Sequence, residues 1–229
     1  MTIPVVVNVF NRLTTTRALV EQIAMLEGAT PVIVDNASDY EPLLEWYGTC
    51  GVEVVRLSGN YGHHAPWDHV MLSPGDVVRR YGSDKYVVTD CDLCIRDCPR
   101  DLLGVLAEPL HWRRGVIKSG LSLRIDDLPE WQTTVREWES RFWTQPIMGG
   151  RFYWAAVDTT FAMYSCSTPF RIAKTVVRAR ATRSAPPYTA RHLPWYLDGN
   201  NLDVENQHYF RTANASNSWK PAGQKLDNK

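Results

Sequence analysis

The chain has 229 residues, enough for one sizeable α/β core, and its 25 Lys and Arg balance 25 Asp and Glu, so no global field gathers nucleic acid or anionic lipid and any anion site must be local. The early apolar run, residues 3–10, is shorter than the about 20 residues a membrane span needs and has no basic leader. Five cysteines, an odd number, do not suggest a disulfide framework, so a reducing, cytoplasmic location is expected.

Residues 3–10, IPVVVNVF, form a β-branched run that suits a strand covered on both faces. The following NRLTTTRALVEQIAMLEG offers threonines for an N-cap, Leu19, Val20, Ile23 and Leu26 at helical spacing, and Gly28 as a stop. Residues 30–38 predict a second buried strand, 40–48 a short helix and 52–60 a third strand. Residues 63–82 predict helix in pieces, broken around Ser73, Pro74 and Gly75, and 84–92 a fourth strand. This alternation implies an α/β fold, with a mixed, mostly parallel central sheet flanked by helices.

Beyond it the alternation loosens. Asp97 or Cys98 is placed to cap a helix with Pro99 at its first position, burying Leu102, Leu103 and Leu106. Residues 115–125 predict a strand, and 128–143 an amphipathic helix with Trp131, Val135, Trp138 and Phe142 on one face, a spacing that favours packing in the core. Residues 152–165 predict one long strand. Residues 170–192 look like a loop carrying Arg171, Lys174, Arg178, Arg180, Arg183 and Arg191 without an acid between them, and the tail from 211 to 229 is polar apart from Trp219.

In open α/β sheets ligands bind beyond the carboxyl ends of the strands. Polar residues gather at four such ends: Asn11 and Arg12, Asp35 and Asn36, Asn60 with Gly62, and Asp90 with Asp92. Any one cluster is explained as well by turn formation; four together point to a site along one rim.

The fourth cluster offers two ligand sets, because Cys91, Cys94 and Cys98 interleave with the carboxylates. In an extended segment residues i and i+2 share a side, so Asp90 and Asp92 can converge while Cys91 points away. The cysteines lack a nearby fourth sulfur for an iron–sulfur cluster and a histidine at finger-like spacing for zinc. Two carboxylates suit Mg²⁺ or Mn²⁺ with positions left open for a substrate phosphate.

In their order along residues 4–103, VNVFNR, VIVDNAS, LSGNYGHHAPW and YVVTDCDL resemble the GT-A fold, in particular family-2-type nucleotide-sugar glycosyltransferases. The later KSGLSLRIDDLP, AAVDTTFAMYS and ARHLPWYLD resemble a smaller group of viral and bacterial transferases of that kind. The resemblance implies a single domain, with about 1–103 as the nucleotide-binding half and about 104–210 as the acceptor side. It implies transfer of a sugar from a nucleotide diphosphate sugar, a UDP-sugar above all, to a hydroxyl of a glycan, a protein or another acceptor. It implies that Asp35 contacts the nucleotide base, that Asp90 and Asp92 bind Mn²⁺ or Mg²⁺ with the diphosphate, and that His192 completes the metal shell. Asn11, Arg12, Asn36, Asn60, Gly62 and His63 then border the donor.

The acidic pair usual in family-2 enzymes departs from its pattern here. Asp158 and Asp198 are the candidate bases, with Asp203 and Glu205 behind them, and Asp158 is preferred because a strand would fix its position. The basic stretch from Arg171 to Arg191 suits phosphate oxygens, and Trp67 and Trp195 are candidates for the acceptor side. Two other functions compete. A sugar-nucleotide nucleotidyltransferase would open with a glycine-rich phosphate loop where this chain has NVFNRLTTT. An inactive glycan-binding module would tolerate loss of either aspartate.

Overall fold

The computed structural model describes residues 2–68, 74–112, 115–168 and 180–213. The first half alternates as expected: β1 (Ile3–Val9), α1 (Leu13–Ala24), β2 (Ala29–Asp35), α2 (Glu41–Tyr47), β3 (Glu53–Arg56), the short helices α3 (Ala65–Asp68) and α4 (Pro74–Tyr81), then β4 (Lys85–Asp90). The order β3-β2-β1-β4 is parallel throughout. The valines of β1 show why: Val5, Val7 and Val9 pack with Ile33 and Val87 on one face, while Val6 packs with Val34 and Val88 on the other. All four valines are buried. Each such side chain contributes about 1.5–3 kcal/mol by leaving water, and period-two geometry sends alternate ones to opposite faces.

The second half adds β5 (Leu93–Cys94), α5 (Leu102–Trp112), β6 (Lys118–Gly120), β7 (Ser122–Leu123), α6 (Thr133–Ser140), β8 (Pro146–Ile147), β9 (Phe152–Trp154), β10 (Ala162–Ser165), β11 (Ala181–Ser184), β12 (Thr189–His192) and α7 (Val204–Thr212). Antiparallel β10 joins β4 to β6, and β11, β9 and β8 complete a nine-stranded sheet. A small second sheet, β5-β12-β7, stands apart from it. The fold is thus mixed α/β, with a central sheet whose strands mostly run one way and helices around it.

Several elements differ from the sequence reading. The stretch 115–125 splits at Leu121 into β6 and β7, which join different sheets. The long strand 152–165 splits into β9 and β10, because β9 pairs with β11 and β8 whereas β10 pairs with β4 and β6; residues 155–161 are a connecting loop. α5 begins at Leu102 rather than Pro99. The Cys98 N–H is already taken by the Ile95 carbonyl and its thiol by that of Thr189, so residues 98–101 form a turn. No threonine caps α1: its N-cap is Arg12, and the Glu205 carboxylate from α7 accepts from the Thr14 N–H and hydroxyl instead.

Trp131 and Trp138 are not core residues but 57% and 47% exposed. α6 turns Val135 and Glu139 inward. Glu139 forms an almost fully buried ion pair with Arg183. The expected basic loop is in part strand, and its described arginines are engaged: Arg180 donates to the Gly115 carbonyl, Arg183 pairs with Glu139, and Arg191 pairs with Asp97 and Asp127. Arg171, Lys174 and Arg178, the break at 73 and the tail from 214 lie outside the described residues. Among the described residues no helix is long and apolar enough to cross a membrane.

Candidate active site

A cavity of about 340 Å³ opens at the carboxyl ends of β1 and β4 and is lined by Asn8, Arg12, Asn36, Asn60, Gly62, His63, Asp90, Asp92, Asp158, Thr159, His192, Trp195 and Tyr209 among others. Strand parity selects which side chains enter. Asn8 lies opposite Asp90 in the β1–β4 register and opposite Val34 in the β1–β2 register. Asn8, Asn36 and Asp90 therefore project from the face that carries Val6, Val34 and Val88, and Asp35 from the other face.

Asn8 and Asn36 clamp the loop after β3. The Asn36 side-chain amide donates to Asn8 Oδ1 at 2.6 Å, Asn8 Nδ2 donates to the Gly62 carbonyl at 3.3 Å, and the Tyr61 N–H donates to Asn36 Oδ1 at 3.1 Å. Gly62 holds φ at +69°, a conformation that disfavours any side chain. This clamp sets Asn60, Gly62 and the exposed His63 at the rim.

Asp90 ends β4 on the cavity floor. Thr159 Oγ1 donates to it, 3.2 and 3.0 Å from its two oxygens. Burial raises its carboxyl well above the ordinary range, and the neighbouring charges of Asp92 and Asp158 raise it further. Asp92 Oδ1 is buried without a hydrogen-bond partner. It stands 3.6 Å from His192 Nε2. The small sheet makes that approach, since His192 pairs with Leu93 in register and the Leu193 N–H donates to the Asp92 carbonyl at 2.9 Å. Burial lowers the His192 pKa, with the pull of Asp92 opposing, so the imidazole is neutral, the form that binds metals. Its Nδ1 is also buried and unbonded, and its ring meets Trp195 edge-on at 4.8 Å.

Asp158 lies not in a strand but in the 155–161 loop, exposed at the cavity wall. Its position is held by its surroundings: Val157 is buried, Thr159 bonds Asp90, and Gly120 of β6 leaves the space the loop occupies, since a Cβ there would come within 2.6 Å of Val157 Cγ1. Behind it, burial pushes the Lys118 ammonium down to about 8 against the attraction of Asp158.

Other expected site residues do not face the cavity. Asp35 is fully buried, and its oxygens accept from Tyr47 Oη (3.0 Å), Arg56 Nε (3.1 Å) and the Ser38 N–H (3.2 Å). Asn11, at φ +48°, donates to Asp39 and Thr212 and accepts from the Asp39 and Tyr40 N–H groups. Asp198 is exposed and closes its own turn onto the Asn200 N–H. Asp203 caps α7 and Glu205 caps α1. Trp67 is a core residue whose indole N–H donates to Tyr86 Oη.

The structure also brings in residues the sequence reading passed over. Asn8, a polar interruption of a valine run, was visible as a misfit, and Thr159 is the immediate neighbour of a candidate base. Tyr209 had no such signal: α7 returns from the far end of the described chain to place its ring 3.8 Å from the Arg12 guanidinium, which also donates to Asn206. Burial opposes the Arg12 charge, but Asp92 and Tyr209 outweigh it and raise its pKa.

The donor set fits a divalent ion. Asp90 and Asp92 are oxygen donors in a cleft where like charges crowd, Asp92 Oδ1 lacks a hydrogen bond, and a neutral imidazole stands beside it. Among the described residues no group of three or more His, Cys, Asp or Glu side chains is placed to hold a metal ion, so an ion bound between Asp90 and Asp92 would take most of its ligands from substrate and water. The cysteine alternative does not fit. Burial pushes Cys91 and Cys98 up to about 12, the Cys98 thiol is taken by the Thr189 carbonyl, and among the described residues no three Cys or His side chains gather as a soft-metal site would require.

Solved structures similar to this chain include glucosyl-3-phosphoglycerate synthase from Mycobacterium tuberculosis in complex with Mn²⁺, UDP-glucose and phosphoglyceric acid. It is 18% identical, with 72% of this chain and 56% of that chain covered at a TM-score of 0.40. The same enzyme with Mg²⁺ and UDP gives 20%, 72%, 56% and 0.37. S. aureus TarS gives 13% identity, 83% of this chain, 36% of that chain and 0.45. The chain thus spans little more than half the length of the first and about a third of the last. No protein-family model and no curated protein matches it.

Proposed function

We propose that this chain is a divalent-metal-dependent glycosyltransferase of GT-A type that moves a sugar, a hexose in the first instance, from a UDP-sugar to an acceptor hydroxyl. The observation that carries the reading is the cavity itself. It holds three carboxylates and a neutral histidine at the strand ends, with one carboxylate oxygen unbonded and another carboxyl resisting ionisation. Such unsatisfied buried polarity costs stability and marks a site built for a ligand rather than for the fold.

Asp90 and Asp92, with His192 beside them, would hold Mn²⁺ or Mg²⁺, which neutralises the charge growing on the departing diphosphate. The other roles belong to the chain. The Asn8–Asn36 clamp fixes the Asn60–Gly62 loop against the donor. Arg12, charged and braced by Tyr209, is a cation at the cavity wall for a phosphate oxygen. Asp158 takes the proton of the acceptor hydroxyl as that oxygen bonds to the anomeric carbon and the sugar–diphosphate bond breaks. Thr159 orients Asp90, and Trp195 offers an aromatic wall to a sugar ring.

The test is release of nucleoside diphosphate from UDP-glucose, UDP-galactose, UDP-N-acetylglucosamine and GDP-mannose with Mn²⁺ or Mg²⁺, with and without chelator. Metal-dependent release from at least one of the UDP-sugars, lost with chelator and in Asp90→Asn/Asp92→Asn, is expected, and release from GDP-mannose alone would contradict the choice of donor. Silence across the panel contradicts the proposal.

A further inference from the structure

The sheet face under the 155–161 loop carries two buried cations, and strand register puts them there. Lys118 of β6 stands opposite Tyr164 of β10, and Arg183 of β11 stands opposite Gly120 of β6, one row nearer the cavity. Tyr164 packs on the face that holds Val88 and Val157. Residues side by side in a sheet share a face, so both cations rise from the side that ends in Asp90.

Arg183 is committed to the scaffold. Its Nε donates to the carbonyl of Ala156, two residues before Asp158, at 2.6 Å, and its other end pairs with Glu139 of α6. Lys118 is differently placed. It is almost fully buried, with its ammonium 5.7 Å from the centre of the Tyr164 ring. Burial works against its charged form and the charge of Asp158 works for it.

Asp158 needs a counterweight on that side. Asp90, Asp92 and Asp158 line one cavity, and the Asp90 carboxyl feels the charge of both neighbours. Repulsion among three carboxylates drives the exposed one, Asp158, out toward water. Thr159, bonded to Asp90, and the Arg183 contact with Ala156 hold the backbone on either side of Asp158; neither touches its carboxylate. A cation buried behind the loop draws that group back, and it does so more strongly than a solvated lysine because water screens it less.

We infer that Lys118 is a positioning residue for Asp158: its charge, rising from β6 beneath the loop, holds that carboxylate at the cavity wall where it meets the acceptor hydroxyl or a water. This rests on the glycosyltransferase reading and adds the group that places its base.

The pairing is tested apart from turnover, by NMR titration of lysines labelled at Cε, with the Lys118 signal assigned by its loss in Lys118→Met. Its midpoint, near pH 8 in the unaltered protein, is expected to fall by at least about 0.5 pH unit in Asp158→Asn. Burial keeps Tyr164 neutral through that range, and Arg183 and Asp90 are the same in both proteins. An unmoved midpoint overturns the inference. Turnover supplies the second test, as hydrolysis by water of whichever UDP-sugar the unaltered protein cleaves with Mn²⁺. Methionine nearly matches lysine in length, and exchanging a buried charge for an apolar group leaves stability level or higher. Lys118→Met is therefore expected to lower kcat at least about 10-fold, to leave donor KM within about twofold, and to melt no lower than the unaltered protein. An unchanged kcat, or a kcat that falls only together with the melting temperature, assigns Lys118 to the fold and overturns the inference. Should the unaltered protein cleave no donor, the catalytic reading fails, while the NMR midpoint still decides whether Lys118 holds Asp158.

Discussion

Asp35 closes β2 and Asp90 closes β4, each beside β1 in the parallel part of the same sheet, yet their surroundings are opposite. Asp35 has three donors on its two oxygens, a phenol, a guanidinium and a backbone N–H. Asp90 has one threonine hydroxyl and two like charges, and its carboxyl resists ionisation. A buried carboxylate with its hydrogen bonds satisfied holds the scaffold; one left short of donors among other acids is held in readiness for a cation. The difference follows from parity. Asp35 belongs to the face under α2, where Tyr47 and Arg56 reach it, and Asp90 to the face that ends in the cavity.

That comparison can be broken most severely at Asp92. Asp92→Ala should lower metal-dependent donor turnover by about 100-fold or more, with a fall in melting temperature much smaller than that of Asp35→Ala, since the residue's Oδ1 has no hydrogen bond to lose and only its attraction for Arg12 is given up. Steady-state assays beside a thermal melt check both halves. A melting temperature that collapses along with activity would make Asp92 a scaffold residue like Asp35.

The converse substitution, Asp35→Ala, strands three buried or half-buried donors and should cost about 3 kcal/mol. For a chain of this size that is roughly 6–12 °C of melting temperature. Turnover per folded molecule should stay within several-fold. A calorimetric scan with an activity titration measures this, and an unchanged melting curve with lost donor affinity would restore Asp35 to the donor site.

Asp90 sharpens the contrast through pH. Its folded pKa is raised, so the stability it contributes is fully present below its unfolded pKa, about 4, and is lost as pH rises through the raised folded value. Without metal, Asp90→Asn should melt above the unaltered protein at pH about 8.5 and lose that advantage near pH 4; saturating Mn²⁺ should reverse the order at pH 8.5 by stabilising only the carboxylate form. Melting curves across pH with and without Mn²⁺ decide it. The smallest effect belongs to Asp198→Asn, exposed and tied to its own turn. Its turnover should stay within about twofold; a 100-fold loss would move the base to Asp198.

Much of the first half was legible because alternating valine-rich strands and amphipathic helices carry their periods openly. The four polar strand ends were legible too, but as clusters; which member of each faces the cavity depends on register. Applied strand by strand, the i, i+2 rule used for Asp90 and Asp92 would have separated Asp35 from Asn36. The second half was harder for physical reasons. Its strands are two to four residues long, too short for a period to declare itself, and single residues such as Leu121 divide chain between two sheets. The arginines between 180 and 191 looked like a free basic loop because their partners, Glu139, Asp97 and Asp127, lie more than 40 residues away in sequence. Tyr209 and Glu205 reach Arg12 and Thr14, at the start of α1, from nearly 200 positions distant, contacts no local pattern announces.

The most direct test of the central claim is calorimetric titration of Mn²⁺, in the presence of UDP, into the unaltered protein and into Asp90→Asn/Asp92→Asn. One ion per chain should bind the unaltered protein, more weakly as pH falls from about 8 to about 6 because Asp90 must release a proton, and no binding should remain in the double variant. Equal binding to both proteins, with no pH dependence, would contradict the account.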